Sequence, residues 1–355
     1  MRLWAGAVRL FARTTTCCVD KLVFCCGYCE SCFDRTVRVA GPGYVLLGSV
    51  LIIGVCTVYF RVLLPLLFDL SSPRGVANSL TSVWLTFNIL FNYWQCVRTR
   101  AGSPPDLFAE PDAERGAAPL SVGPPAGSLP PGARWCRKCS NMKPVLSHHC
   151  SVCDCCVLKM DHHCPWVNNC VGLRNYRYFF NFMFYLWSGC LYAAVVSSPA
   201  VSGDPELALL GRWMHRLAGG SEADWRLRSE QWRGRATAAG LQEDQLGAVT
   251  FSFILAFAVL IAISVLLGWH VYLVSTSQTT IEFYGNREAR RAAAREGRGW
   301  VNEHDLGVRR NWQETFDERG SLWWIAFAMP RLAPHRGSGV VFATVASEER
   351  RKRGE

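Results

Sequence analysis

Four consecutive residues, Asp161-His162-His163-Cys164, set a carboxylate, two imidazoles and a thiol side by side. Together they can supply a nucleophile, a base beside it and a group that orients the base, which is what covalent acyl transfer requires. A free cysteine has a pKa of about 8.5, so little of it is thiolate at neutral pH; an adjacent imidazole lowers that value or takes the proton during attack. Cys164 is therefore the candidate nucleophile and His162 its base. Asp161 is the carboxylate that would fix the imidazole tautomer and stabilise the imidazolium. The plainer alternative has Asp161 capping a turn and His162 solvated.

These residues sit in a cluster. Between Cys136 and Cys170, eight cysteines are interleaved with His148, His149, His162 and His163. Mixed Cys/His spacing favours zinc on reduced thiolates over a disulfide framework, and places the cluster in the cytosol. Two tetrahedral sites need eight ligands, so four of these twelve side chains stay free. One partition gives Cys136, Cys139, His149 and Cys156 to one ion and Cys150, Cys153, His163 and Cys170 to the other. His148, Cys155, His162 and Cys164 then remain. Such closed sites leave no coordination position for a substrate, so two structural zincs are expected, holding the loop that bears Cys164. A RING-like module would end in a further Cys-x2-Cys, whereas five residues separate Cys164 from Cys170.

The elements that must position this cluster are apolar. Half of the 355 residues are hydrophobic and mean hydropathy is +0.09, which points to a membrane protein. The net charge of +10 suits anionic headgroups or an anionic cosubstrate, and no nucleic-acid motif accompanies it. The arginines of the first thirteen residues flank no uninterrupted apolar core, so no cleaved signal peptide is read there. Residues 1–42 form a basic N-terminus with Cys17, Cys18, Cys25, Cys26, Cys29 and Cys32, read as a lipidated patch, a further metal site or small apolar residues of an interfacial helix.

Residues 43–97 hold two candidate spans, one from Tyr44 through Phe60 to Phe68 and one from Val76 to Val97. On the second, Asn88, Asn92 and Gln95 either line a polar path or pack on a neighbour. Eight prolines and five glycines mark 98–133 as a linker, the zinc domain occupies 134–177, and a third span covers 178–196. Residues 197–248 form a lumenal loop, 249–274 a fourth span and 275–355 a basic cytosolic tail, in which Trp323-Trp324-Ile325-Ala326-Phe327 lies in the interface or packs in a core. The expected fold is an all-α integral membrane protein: four transmembrane helices with a small cytosolic two-zinc domain between helices two and three.

On these residues the chain resembles the DHHC family of protein S-acyltransferases. The likeness covers the cluster from Cys136 to Cys170, Asn175, the four spans and the tetrapeptide Thr279-Thr280-Ile281-Glu282. A tail pattern of Asn302, Asp305, Gly307, Asn311, Trp312 and Phe316 also matches, with Glu303 where the family has proline and Asp317 where it has glycine. The resemblance implies that the eight ligands pair as partitioned above and that Cys155 is a spare thiol. It implies a ping-pong reaction: Cys164 takes an acyl group from palmitoyl-CoA or a similar long-chain acyl-CoA and passes it to cysteines of membrane-associated proteins. It also implies an endomembrane location, endoplasmic reticulum or Golgi, with both termini and the active site cytosolic.

Burying a sixteen-carbon chain is worth roughly 12 kcal/mol, and a helical bundle open to the bilayer provides the apolar cavity that this needs. Trp166, beside Cys164, is expected to wedge at the membrane face or pack against span three. Phe179, Phe182, Leu186 and Gly189 recur at helical spacing on span three and are candidates for the acyl-chain wall. Gly189 either leaves room for a stearoyl-length chain or serves helix packing. Arg134 and Lys143 either meet the CoA phosphates or are solvated. The alternative function is a catalytically inactive, membrane-anchored zinc scaffold.

Overall fold

The protein is described from a computed structural model that covers residues 34–104, 132–198, 205–318, 320–332, 335, 337–339 and 342–353. The six N-terminal cysteines and most of the proline-rich linker lie outside the described residues.

Four long helices make the body. Helix α1 (Asp34–Leu67) starts ten residues before the expected apolar run. Its turn at Tyr59–Leu63 is a π turn, just ahead of Pro65. A proline has no N–H to give the preceding turn, and the widened turn takes up that defect. Helix α2 (Pro73–Arg98) begins with proline in the first position and the Ser72 hydroxyl accepting the Gly75 N–H at 3.0 Å, a regular N-terminal cap. Helix α3 (Tyr176–Ser197) packs along α2 and also along the later helix α6 (Glu243–Ser275).

By length and apolarity α1, α3 and the Gln245–Ser275 part of α6 can each cross a membrane. Helix α2 does not meet the same measure, because serine, threonine and amide side chains interrupt its apolar residues. Asn88 and Asn92 are buried, and their amide groups donate back to Trp84 O (2.9 Å) and Asn88 O (2.8 Å). They pack into the bundle. A hydroxyl cluster crosses the same bundle: Ser82 Oγ lies 2.9 Å from Tyr59 OH, and Tyr192 OH donates to Asn78 Oδ1 at 2.6 Å.

Between α2 and α3 stand three antiparallel hairpins: β1 (Arg134–Cys136) with β2 (Asn141–Lys143), β3 (His148–Cys150) with β4 (Cys155–Val157), and β5 (His162–Cys164) with β6 (Asn169–Val171). At the opposite end of the bundle the expected loop is a helical hairpin, α4 (Pro205–Leu217) and α5 (Glu222–Ala238), opened by a reciprocal Ser221/Asp224 cap. Some of its charges pair with one another. Glu222 meets Arg212, Arg216 and Arg226, while Trp225 and Trp232 are buried.

The tail forms α7 (Thr280–Arg295), α8 (Val308–Phe316), α9 (Trp323–Ala328) and α10 (Val345–Arg353). It docks on the ends of α3 and α6 despite its two departures from the family pattern. Asn311 Nδ2 donates to Ser275 O (2.8 Å), Trp312 Nε1 to Ser275 Oγ (3.1 Å) and Asn302 Nδ2 to Thr276 O (2.9 Å). Asp317 takes the left-handed conformation, φ 54°, that glycine would adopt more cheaply. In α9, Phe327 packs on Phe180, Phe316 and Trp312, and its backbone oxygen accepts Asn181 Nδ2 at 2.8 Å, so this apolar segment is a packing element.

Candidate active site

Each expected metal quartet is assembled from one turn and the next hairpin. Cys136 and Cys139 bracket the β1 turn, and His149 and Cys156 face one another across β3 and β4. Cys150 and Cys153 bracket the next turn, and His163 and Cys170 face one another across β5 and β6. The residue after each Cys-x2-Cys, Ser140 and Asp154, is left-handed, which folds the chain back at the same place in both.

Within each quartet all ligand atoms lie within 4.8 Å of one another. Cys139 and Cys153 sulfurs approach His149 Nδ1 and His163 Nδ1 at 3.2 and 3.3 Å, and the sulfur pairs Cys139–Cys156 and Cys153–Cys170 lie at 3.6 and 3.5 Å. Those separations are near the edge of about 3.7 Å expected of a tetrahedron with zinc–sulfur bonds of ~2.3 Å, and three thiolates with one imidazole are a zinc donor set. His148, Cys155, His162 and Cys164 belong to neither quartet. Cys155 faces Cys150 across β3 and β4.

The hairpin after the second knuckle carries the reactive residues. Cys164 pairs with Asn169 across β5 and β6 and is 8 % exposed, among Tyr93, Cys96, Val167, Tyr176 and Phe179. His162 Nδ1 lies 2.6 Å from Asp161 Oδ2, and its ring stands edge-on to Phe179 at 5.1 Å. Asp161 is almost wholly buried, and α7 is aimed at it. Thr280 donates its N–H to Oδ1 (2.8 Å) and its hydroxyl to Oδ2 (3.0 Å). Asp161 thus orients the imidazole and caps a helix at once. Thr279 and Glu282 hold the same helix start in a reciprocal cap.

The electrostatics follow from these contacts. Burial alone would raise the Asp161 carboxyl, but the His162 bond, the imidazolium charge and the Thr280 N–H hold it below the ordinary carboxylate range. Burial would likewise lower His162; Asp161 and the Cys164 thiol outweigh it and bring the imidazole to about 9. His162 is then protonated at neutral pH, with a proton ready to give.

The surroundings fix the hairpin. Asn169 Nδ2 donates to Cys96 O (3.0 Å) and Thr99 O (2.8 Å), capping the end of α2. Asn175 Nδ2 donates to Cys170 O (2.8 Å) and Thr99 O (3.0 Å). On α1, a Cβ at Gly41 would come within 2.0 Å of the Asn168 side chain, so glycine lets the helix meet the hairpin tip without displacing that side chain. Arg38 reaches Val152 O at 2.7 Å from the same helix.

Trp166 is half exposed. Its ring meets Tyr44 of α1 edge-on at 5.5 Å and its carbonyl lies 3.0 Å from Tyr93 OH, so it packs on the first helix, not on span three. Phe182 lies against Tyr93 at 5.1 Å. Gly189 faces α2, where an added Cβ would meet Ile89 Cδ1 at 2.8 Å; the space beside it is taken by helix packing. Arg134 and Lys143 are cross-strand partners in the first hairpin. After burial, their charges are what holds the His148 imidazole down at about 4.

Sequence reasoning missed Thr280 as the partner of Asp161, and it missed His270. That histidine is buried in α6, bonds Tyr176 OH through Nδ1 at 2.9 Å and stands 6.1 Å, ring to ring, from His162. A titratable group inside an apolar span is itself a functional signal, and would have found it.

The DHHC palmitoyltransferase family profile matches residues 130–287. Among curated proteins the chain is similar to probable protein S-acyltransferase 16 of Arabidopsis thaliana, 30% identical over 86% of this chain and 94% of that protein. It is also similar to palmitoyltransferase ZDHHC16A of Danio rerio, 28% identical over 87% and 80%, and to palmitoyltransferase ZDHHC16 of Homo sapiens, 29% identical over 86% and 76%.

Proposed function

The chain belongs to the DHHC palmitoyltransferase family, a protein S-acyltransferase with palmitoyl-CoA as acyl donor, and from that premise we propose that Cys164 is its nucleophile, with His162 and Asp161 as proton carrier and orienting carboxylate. The observation that carries this reading is the bonded line Thr280–Asp161–His162, which ends beside a thiol left over by both metal quartets. The Cys164 thiolate attacks the acyl-CoA carbonyl. His162 gives its proton to the departing CoA sulfur and then takes the proton of an acceptor cysteine, whose thiolate attacks the acyl-Cys164 carbonyl and releases Cys164. The quartets Cys136, Cys139, His149, Cys156 and Cys150, Cys153, His163, Cys170 would each hold a zinc ion, which supplies structure alone.

Helices α1, α2, α3 and α6 make four crossings in this reading, with the zinc domain, both termini and the tail cytosolic in an endoplasmic reticulum or Golgi membrane. Its support is that α2, 26 residues long, runs beside α3 from end to end of the bundle and that metal-binding thiols need a reducing compartment. The acceptors would be cysteines of membrane-associated proteins, held at the depth of Trp166. Arg134, Lys143 and the Phe179–Phe182 wall remain candidates for the CoA and acyl-chain contacts.

The test combines metal content with labelling by a clickable acyl-CoA. Wild type and Cys164→Ser should both carry two zincs, with hydroxylamine-sensitive label on wild type alone. A mutant that loses zinc makes Cys164 a ligand and favours the scaffold function; a mutant that keeps its label moves the nucleophile elsewhere.

A further inference from the structure

The hairpin of α4 and α5 closes the end of the bundle away from the zinc domain. On α5, Arg235 Nη1 donates to Leu66 O in the last turn of α1 at 2.8 Å, and Trp232 is buried against Tyr59, Leu63 and Val249. On α4, Met214 is buried with Cys190 and Ala194 of α3 and Phe253 and Ala256 of α6. These contacts set the height of the hairpin at the ends of helices able to cross a membrane. Helix α3 spans about 33 Å at 1.5 Å per residue, close to the bilayer core of roughly 30 Å.

The two hairpin helices then differ in what they turn outward. Helix α5 presents mainly polar residues, Arg226, Arg228, Glu230 and Arg233, with Leu227 as the single large apolar side chain among them. Helix α4 presents Leu209, Trp213 and Leu217, exposed by 70, 52 and 64 %, at intervals of four residues and so along one stripe. The nearby charges point elsewhere: Arg212 and Arg216 are drawn to Glu222, and Arg212 stacks on Trp225 at 4.9 Å. On α6, Phe251 and Ile254 are exposed in the same turn that buries Phe253 against Met214 of α4.

We propose that α4 lies in the plane of the membrane as an interfacial helix, with Leu209, Trp213 and Leu217 seated among the lipids of the leaflet opposite the zinc domain. This rests on the spanning arrangement proposed above. A helix polar toward its hairpin partner and apolar outward, at the bilayer boundary, is the form that lies in an interface, and a tryptophan mid-stripe suits the headgroup level. The hairpin then acts as a float on the far side and holds the bundle against sinking or tilting under the load of an acylated acceptor.

The experiment places the photo-crosslinking residue p-benzoylphenylalanine singly at Leu209, Trp213, Glu230 or Val265 of the full chain in phosphatidylcholine nanodiscs. Two zincs and intact self-acylation would show that each variant is folded. Val265 is 74 % exposed in the middle of α6 and reports on the spanning arrangement itself. Irradiation should add one lipid mass at 209, 213 and 265 and none at 230. Lipid at 265 but none at 209 and 213, or at those two positions a covalent link to a second copy of the chain instead, would overturn the proposal alone. No lipid at any position, 265 included, would overturn the spanning arrangement and this inference with it.

Discussion

At the residue scale, the decisive pair is Asp161 and His162. Their shifts have opposite signs, and both favour the charged form. His162, raised to about 9, adds stability that is complete below the ordinary imidazole value of about 6.5 and is lost as pH rises through 9. Asp161, lowered, adds stability that is present above the ordinary carboxylate value and is lost as pH falls through its folded value. The proton that His162 gives to CoA is therefore available across neutral pH. Single-turnover labelling by acyl-CoA should hold level from neutral pH up to near 9 and then fall. Asp161→Asn keeps the shape of the side chain but removes the charge that raises His162. Its labelling rate should drop by about 10²–10⁴-fold, with the falling limb moved to lower pH. An Asn variant with an unchanged limb would show that Asp161 only caps α7. The Asp-His-His-Cys run and the eight ligands were legible in the sequence because their chemistry is local: neighbouring residues and short, regular spacings. Thr280 was not, since 119 residues separate it from the carboxylate it serves, and its tetrapeptide shows a helix cap without showing where that helix points.

At the scale of elements, the three hairpins have only three residues per strand. Isolated two-stranded ribbons of this length do not stand in water, so the metal quartets must hold them. A strong chelator should release two zincs, abolish labelling and open residues 134–171 to protease, while the helical circular dichroism of the bundle persists. Retained labelling after full zinc loss would contradict a structural role for the metal. The long helices were legible from their apolar runs, and their ends were displaced only where polar residues continue the turn. The α4/α5 hairpin was not legible: residues 197–248, with six arginines and seven acidic residues, read as a lumenal loop, and only the folded chain brings Glu222 among three of those arginines. The tail was half legible. Its pattern marked a docked segment, and Asp317 meets the left-handed turn that the family gives to glycine.

At the scale of the whole molecule, the zinc domain is gripped from four directions: Arg38 and Gly41 of α1, Thr99 at the end of α2, Asn175 ahead of α3, and Thr280 beyond α6. Four crossings with a cytosolic zinc domain make a definite prediction. A glycosylation acceptor inserted at Ala218–Gly220, between α4 and α5, should be modified in microsomes, and one inserted at Gly297–Gly299, beyond α7, should not. The reverse pattern would turn the chain over, and modification of both would remove one crossing. Helix α1 is tied at both ends, with Arg38 on the zinc domain and Leu66 under Arg235. Its π turn lies between those two attachments. A π turn amounts to one residue spliced into an α-helix while the phase on either side is kept. Helix α1 is therefore one residue longer than its path requires. A single deletion within Tyr59–Leu63 would leave Gly41 facing the hairpin and Leu66 facing Arg235, whereas the same deletion one turn earlier or later would swing one attachment about 100° out of line. In α1, the tolerance for changes of length is concentrated at this one place.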